Sequence, residues 1–122
     1  MKIHESGEDY LEAILRLCKE HGAARSVDIA AQLGVTKPSV SFAMKKLREN
    51  GYILMGDDNR ITLTEAGEAI ASRVWERHTL LISMLMKLGV SEETARIDAC
   101  KIEHDLSDET FDAIRRHMTM YG

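Results

Sequence analysis

The feature that most constrains the fold is a change in the spacing of apolar residues near the middle of the chain. On either side of residues 52–63, apolar residues recur three and four positions apart, which is typical of amphipathic helices. Residues 52–55 (YILM) and 60–63 (RITL) are instead short strand-like runs, and the sequence GDDN between them is typical of a hairpin turn. We therefore predict a mainly α fold in which one β-hairpin lies between two groups of helices.

Polar residues that cap helices and glycines that end them divide the remaining sequence into six predicted helices. The predicted N-caps are Ser6, Ser26, Thr36, Thr64, Ser91 and Ser107. The predicted helix ends are Gly22, Gly34, Asn50-Gly51 and Gly89. Three helices followed by a hairpin are the element order of a winged helix-turn-helix. We predict such a DNA-binding domain over residues 1–72 and a helical domain over residues 73–122.

The segment around Gly34 favours DNA binding, although the net charge of −4 does not. Six cations and four acids lie between residues 25 and 60, so the winged region is locally basic. The second helix of a helix-turn-helix presents its N-terminal residues to the major groove, where hydroxyls and lysines contact phosphates and bases. The predicted DNA-contacting residues are Arg25, Ser26, Thr36, Lys37, Pro38, Ser39, Ser41, Phe42, Lys45, Lys46 and Arg60. A winged helix that binds another protein, or a plain three-helix core, stays open as the alternative.

A second pattern is a group of metal-ligating side chains at helical spacing. Cys100, Glu103 and His104 stand at positions i, i+3 and i+4, so a helix would place all three on one face. Thiolate, carboxylate and imidazole groups all bind metal ions, and three of them form half of a site. Further candidates on other helices are Asp9, Glu12 and His78. The alternatives are that the acidic pair only interacts with the dipole of its helix and that the other residues form a solvated face.

The sequence also limits the cellular setting of the protein. It has no apolar run long enough to cross a bilayer, and its charged start has no apolar core of the kind that signal peptides carry. We therefore expect a cytoplasmic protein without a membrane partner. In that compartment Cys18 and Cys100 are not expected to form a disulfide, and the apolar neighbours of Cys18 predict a core position.

The helical domain carries more apolar side chains than a small module can bury by itself, which predicts a two-fold partner. These residues are Trp75, Leu80, Leu81, Met84, Leu85, Leu88, Phe111 and Ile114.

Four segments together resemble the DtxR/MntR family of iron- and manganese-dependent repressors over nearly the whole chain. They are EDYLEAI at residues 8–14, the winged helix, RHTLL at residues 77–81 and ACKIEHDLSDE at residues 99–109. The resemblance implies a transcriptional repressor of metal homeostasis that binds a palindromic DNA operator as a homodimer. It also implies a second domain that both dimerises and carries metal ligands. Because the sequence ends at Gly122, we expect no SH3-like third domain of the kind found in longer members.

The resemblance also implies a ligand set. Asp9, Cys100, Glu103 and His104 match the main metal site of the family, and Glu12 and His78 match positions for a second ion in its manganese-type members. The chain is a hybrid, because Cys100 resembles the iron-type branch whereas the acidic pair resembles the manganese-type branch. Two positions of the iron-type ancillary site are occupied by the non-ligating residues Ile82 and Arg96.

The implied metal follows from the donor types. Oxygen donors favour Mn²⁺, and the thiolate of Cys100 shifts the preference toward Fe²⁺ or Zn²⁺. We expect Fe²⁺ or Mn²⁺ as the physiological ion, with Fe²⁺ favoured, and Zn²⁺ or Co²⁺ as ions that also bind in vitro. No organic cofactor is expected.

Two other classes of function are the alternatives. A metal-independent winged-helix regulator would sense a small molecule or the redox state, with Cys100 as a thiol switch. A hydrolytic metalloenzyme needs an open coordination position and a general base, and no residue remains for that base, so we expect no enzymatic activity.

Overall fold

The computed structural model describes residues 5–121, which form six helices and one two-stranded antiparallel hairpin. In chain order the elements are α1 (Glu5–His21), α2 (Ser26–Leu33), α3 (Lys37–Glu49), β1 (Ile53–Met55), β2 (Ile61–Leu63), α4 (Glu65–Lys87), α5 (Glu92–Ile102) and α6 (Asp108–Tyr121). The chain divides within α4, between Arg73 and Val74, into two compact units that we name the N-unit and the C-unit. The predicted mainly α class and the predicted order of helices and hairpin are confirmed.

The N-unit packs α1, α2, α3 and the hairpin around one apolar core. The fully buried side chains of this core include Leu11, Ile14, Ile29, Val40, Met44, Ile53 and Ile61. The hairpin is attached to the helices by backbone, because the N–H of Ala24 donates to the carbonyl of Ile61 (3.1 Å) and the N–H of Ile61 donates back to Ala24 (2.7 Å). The wing formed by β1 and β2 is therefore fixed to the segment between α1 and α2.

Local chemistry sets the turn between α2 and α3 as predicted. Gly34 ends α2 in the left-handed conformation (φ 66°), where glycine has no steric penalty. The hydroxyl oxygen of Thr36 accepts from the N–H of Ser39 (3.3 Å) and caps α3, and Pro38 lies in the first turn of that helix. Val35, which follows the turn, is exposed.

Four predicted boundaries are wrong by about one residue. Ser6 and Ser26 already lie inside α1 and α2, and the N-cap of α2 is Arg25, which has an extended backbone and makes no side-chain capping hydrogen bond. Tyr52 does not join β1, because its N–H bonds to the carbonyl of Leu47 at the end of α3 (3.0 Å). Arg60 does not join β2, because its N–H bonds to a side chain within the turn.

The C-unit is a small helical cluster. Leu81 and Ile82 of α4 pack against Ala95 and Ala99 of α5, and Phe111 of α6 is also buried. The predicted caps Ser91 and Ser107 both accept from backbone N–H groups, those of Thr94 and Thr110. Arg77 of α4 donates to the carbonyl of Leu106 (2.9 Å) and lies over the ring of Phe111, which fixes the segment that follows α5.

No helix within residues 5–121 combines the length and the apolarity that crossing a membrane requires.

The start of α4 packs closely on the chain that follows α3, and Gly67 makes this possible. Thr64 accepts from the N–H of Gly67 (3.2 Å) and donates to the carbonyl of Gly51 (2.7 Å). A Cβ atom on Gly67 would overlap the carbonyl oxygen of Tyr52. Backbone cannot move aside as a flexible side chain can.

We expect Gly67→Ala to lower the free energy of unfolding by about 1–3 kcal/mol through overpacking. Helix propensity alone predicts the opposite sign, since alanine is favoured over glycine by about 1 kcal/mol. Urea denaturation followed by circular dichroism measures the difference. Ala69→Gly, at an exposed position of the same helix, is the control and loses only the propensity difference. A Gly67→Ala variant as stable as the wild type would contradict the close approach.

Candidate metal centre and nucleic-acid interface

The C-unit buries one carboxylate, that of Glu103, between two histidines. Glu103 is 3% exposed; its Oε2 lies 3.3 Å from Nδ1 of His78 on α4, and its Oε1 lies 3.5 Å from Nε2 of His104. Among the described residues, neither carboxylate oxygen nor His78 Nδ1 has a hydrogen-bond partner. Burying a charged group without hydrogen bonds is costly unless an opposite charge is supplied. The arrangement is therefore suited to binding a cation.

Cys100 adds a thiol to this group. Cys100, Glu103 and His104 each offer one ligand atom, and these atoms lie within 4.8 Å of one another, about twice the ~2.0–2.3 Å of a metal–ligand bond. The prediction that a helix carries all three residues is wrong, because α5 ends at Ile102. Glu103 nevertheless keeps helical dihedral angles (φ −60°, ψ −31°), so the one-turn spacing to Cys100 persists. Cys100 is exposed. Thiol, carboxylate and imidazole together fit a divalent first-row metal.

The two acidic candidates of α1 lie in the N-unit. Asp9 is half-buried and Glu12 is buried. Glu12 has a cationic neighbour one turn later, since its Oε1 lies 3.4 Å from a guanidinium nitrogen of Arg16. This pair is not among the predicted site residues, although its i, i+4 spacing is a usable signal. Arg16 therefore belongs to the surroundings of the candidate ligand Glu12.

The positions of the iron-type ancillary site carry no ligand chemistry in the structure. Ile82 is part of the apolar core of the C-unit, and Arg96 forms an exposed ion pair with Glu92 (3.0 Å).

Helix α3 separates its residues into a buried face and an exposed face. Val40, Met44 and Leu47 are buried. The predicted DNA-contacting residues of this region are all exposed: Thr36, Lys37, Pro38, Ser39, Ser41, Phe42, Lys45 and Lys46. The exposed face thus carries hydroxyl groups and ammonium groups together, which suits a phosphate backbone.

The start of α2 and the hairpin turn form a second part of this surface. Arg25, exposed, and Ser26, half-buried, line a cavity of about 390 Å³ together with Ser41 of α3 and Asn59 of the turn. Arg60, the predicted wing residue, is exposed beside this turn. The cavity brings α2, α3 and the wing to one surface of the N-unit.

Arg60 is held within the turn by Asp58. Its Nε lies 3.0 Å from Oδ2 of Asp58, and its backbone N–H donates to Oδ1 of the same carboxylate (3.2 Å). The sequence analysis did not identify Asp58, although an aspartate that bonds the N–H two residues later is a common turn motif.

Comparison with known proteins identifies the family of the chain. Two family models match, described as "Iron dependent repressor, N-terminal DNA binding domain" over residues 2–58 and "Iron dependent repressor, metal binding and dimerisation domain" over residues 64–120. The transcriptional regulator MntR of Escherichia coli O6:H1 is 44% identical over 115 residues, covering 94% of this chain and 74% of that protein. The chain therefore belongs to the iron-dependent repressor family, which confirms the resemblance.

Solved structures of related regulators have the same fold. T. acidophilum IdeR matches with a TM-score of 0.82 at 26% identity, over 98% of this chain and 55% of that one. A manganese-dependent transcriptional repressor in complex with manganese matches with a TM-score of 0.83 at 28% identity, over 93% and 52% of the two chains. The chain spans about half of the length of these two structures.

Glu103→Gln tests whether the buried carboxylate requires a cation. In chelator we expect the variant to be at least as stable as the wild type, because a neutral amide costs less to bury than a carboxylate without hydrogen bonds. Added Mn²⁺ should raise the unfolding midpoint of the wild type but not that of Glu103→Gln.

Thermal unfolding in chelator and in Mn²⁺ measures both effects. Glu92→Gln, at an exposed position of α5, is the matched control and should keep the response to Mn²⁺. Marked destabilisation of Glu103→Gln in chelator would contradict the assignment.

Proposed function

We propose that the chain is a DNA-binding transcriptional repressor that responds to a divalent metal and controls genes of metal homeostasis. The observation that carries this proposal is the buried carboxylate of Glu103, which lacks hydrogen-bond partners among the described residues and has Cys100 and His104 beside it. These residues lie in the segment matched by the metal-binding and dimerisation domain of the family. The names of the relatives, such as MntR and a manganese-dependent repressor, support the same function.

We assign the main ion to Asp9, Cys100, Glu103 and His104, following the family pattern, and a second neighbouring ion to Glu12 and His78. Fe²⁺ or Mn²⁺ is the proposed physiological ion, because the set mixes hard oxygen donors with one thiolate. Zn²⁺ or Co²⁺ is proposed to bind in vitro. A related repressor, ScaR, has been solved with Zn²⁺ and with Cd²⁺ bound.

The ligand set suggests how metal and DNA binding are coupled. A bound divalent ion supplies the positive charge that lets several carboxylates come together. Asp9 belongs to α1, and α1 packs against both α2 and α3. Holding Asp9 in the ligand set therefore restrains the element on which the helix-turn-helix rests. By linkage, metal and DNA then raise the affinity for each other by the same factor.

We propose that DNA contacts the exposed surface of the N-unit. The proposed contact residues are Arg25, Ser26, Thr36, Lys37, Pro38, Ser39, Ser41, Phe42, Lys45, Lys46 and Arg60, of which Ser26 is half-buried and the others are exposed. A two-fold homodimer presents two such surfaces, and its operator is therefore proposed to be palindromic. A repressor must reach the genomic DNA, so we propose that the protein is cytoplasmic. We also propose that it has no enzymatic activity.

The proposal of a homodimer is supported by apolar side chains that the C-unit leaves exposed. Leu81 and Phe111, which the sequence analysis counted toward the interface, are instead buried in the core of the unit itself. The exposed large apolar residues are Met86, Leu88, Ile97, Met120 and Tyr121. Covering such side chains with a second copy of the chain would remove their apolar surface from water.

We expect light scattering at micromolar concentration to give twice the mass of one chain. Leu88→Asp should shift the mass toward the monomer, because a charge at a 74% exposed position disturbs an interface without disturbing a core. A monomeric wild type would count against the dimer.

The metal requirement of DNA binding is the main test. DNA duplexes that bind the protein in Mn²⁺ are first selected from a pool with a randomised central sequence. The selected duplex is then titrated with the protein, and binding is measured by fluorescence anisotropy. We expect binding with Mn²⁺ or with anaerobic Fe²⁺ and none in chelator. Cys100→Ala should raise the metal concentration for half-maximal DNA binding on the order of tenfold or more, because one ligand is lost.

Cys18→Ala is the matched control for this experiment. Burial raises the pKa of the Cys18 thiol, and its Sγ lies 3.7 Å from the carbonyl oxygen of Ile61 in the N-unit. This variant should keep the metal requirement of the wild type. DNA binding that is equally tight in chelator but sensitive to oxidants would instead favour the metal-independent regulator with Cys100 as its switch.

A further inference from the structure

An aromatic ring is exposed on the DNA-facing side of α3. Phe42 is 64% exposed, whereas Val40 and Met44, its neighbours on the opposite side of the helix, are buried. Ser39, Phe42 and Lys46 follow one another at spacings of three and four, so they share one face. The most apolar side chain of this face therefore lies among groups that suit a phosphate backbone.

The position of the ring is held by a charge. The ammonium group of Lys46 lies 5.0 Å from the centroid of the Phe42 ring, which is the geometry of a cation–π contact. Lys45 adds a second exposed cation on the same helix. The surroundings of Phe42 are thus basic, which favours a polyanion over an apolar protein surface as the partner of this ring.

The chemistry of the ring limits what it can recognise in DNA. A phenyl group has no hydrogen-bond donor or acceptor, so it cannot read the polar edges of the bases. The apolar group that a base pair presents in the major groove is the C5-methyl group of thymine. We propose that Phe42 is a specificity-determining residue that contacts the methyl group of one thymine in each half of the operator. This inference rests on the proposed function as a DNA-binding repressor.

Removal of the methyl group from DNA tests the contact without changing base pairing. The duplex enriched by the wild type in Mn²⁺ is remade with deoxyuridine in place of one thymine at a time, and each Kd is measured by anisotropy. At one thymine per half-site we expect the wild type to lose about fourfold in affinity, the value of one buried methyl group.

Variants of α3 distinguish a contact with the thymine methyl group from sequence-independent electrostatic attraction to DNA. Phe42→Ala should bind the thymine duplex more weakly and show no further loss with deoxyuridine. Phe42→Leu should keep part of the discrimination, because its side chain is still apolar. Lys45→Ala should weaken binding to both duplexes equally and lower the salt dependence, as expected for a phosphate contact. Because Phe42 is exposed, circular dichroism should show an unchanged fold for its variants.

Two results would overturn the inference while leaving the proposed function intact. One is a wild type that binds every deoxyuridine duplex as tightly as the thymine duplex. The other is a Phe42→Ala variant that discriminates thymine from uracil as well as the wild type does, since another residue would then contact the methyl group. Failure to enrich any duplex in Mn²⁺ contradicts the proposed function at the first step, and the assignment of Phe42 falls with it.

Discussion

The buried carboxylate of Glu103 is the interaction on which the chemistry of the C-unit depends. It lies between His78 and His104 at 3.3 and 3.5 Å, yet neither of its oxygens accepts a hydrogen bond from the described residues. Imidazole nitrogens and carboxylate oxygens are both ligands of divalent cations. Together with Cys100, this group has the ligand types of a divalent-metal site, and its buried carboxylate favours a positively charged partner.

The local structure around Glu103 follows from the ends of three helices. The hydroxyl of Ser91 starts α5, and the contacts of Arg77 with Leu106 and Phe111 hold the chain that follows it. Glu103 keeps helical dihedral angles just beyond the end of α5, so its side chain stays one turn from Cys100. The spacing between Cys100 and Glu103 is therefore set by the backbone at the end of α5.

Most of the fold could be predicted from the sequence because its boundaries depend on local chemistry. Gly34, Thr36 and Thr64 act where they were expected to act, since a left-handed glycine and an N-cap hydroxyl each need only neighbouring residues. The boundary errors at the hairpin come from hydrogen bonds that periodicity does not encode: the N–H of Tyr52 bonds back to Leu47 of α3, whereas its carbonyl accepts from the N–H of Thr64 just after β2.

The candidate site was only partly predictable, for a related reason. The grouping of Cys100, Glu103 and His104 followed from spacing, which needs no knowledge of tertiary structure. The pairing of Arg16 with Glu12 and of Arg60 with Asp58 depends on which rotamers long side chains adopt. Several rotamers are open to an arginine, so a sequence identifies the possible partners but not the chosen one.

The carboxylate of Asp58 lowers the net positive charge that the wing presents. It lies 3.0 Å from Nε of Arg60, and both side chains are exposed. A phosphate that approached Arg60 would therefore also approach a negative charge, and the sequence-independent attraction between wing and polyanion is weaker than it would be for an arginine without an acidic neighbour. On the proposed DNA-binding surface, the wing would thus contribute little to the time that the protein spends on unrelated DNA.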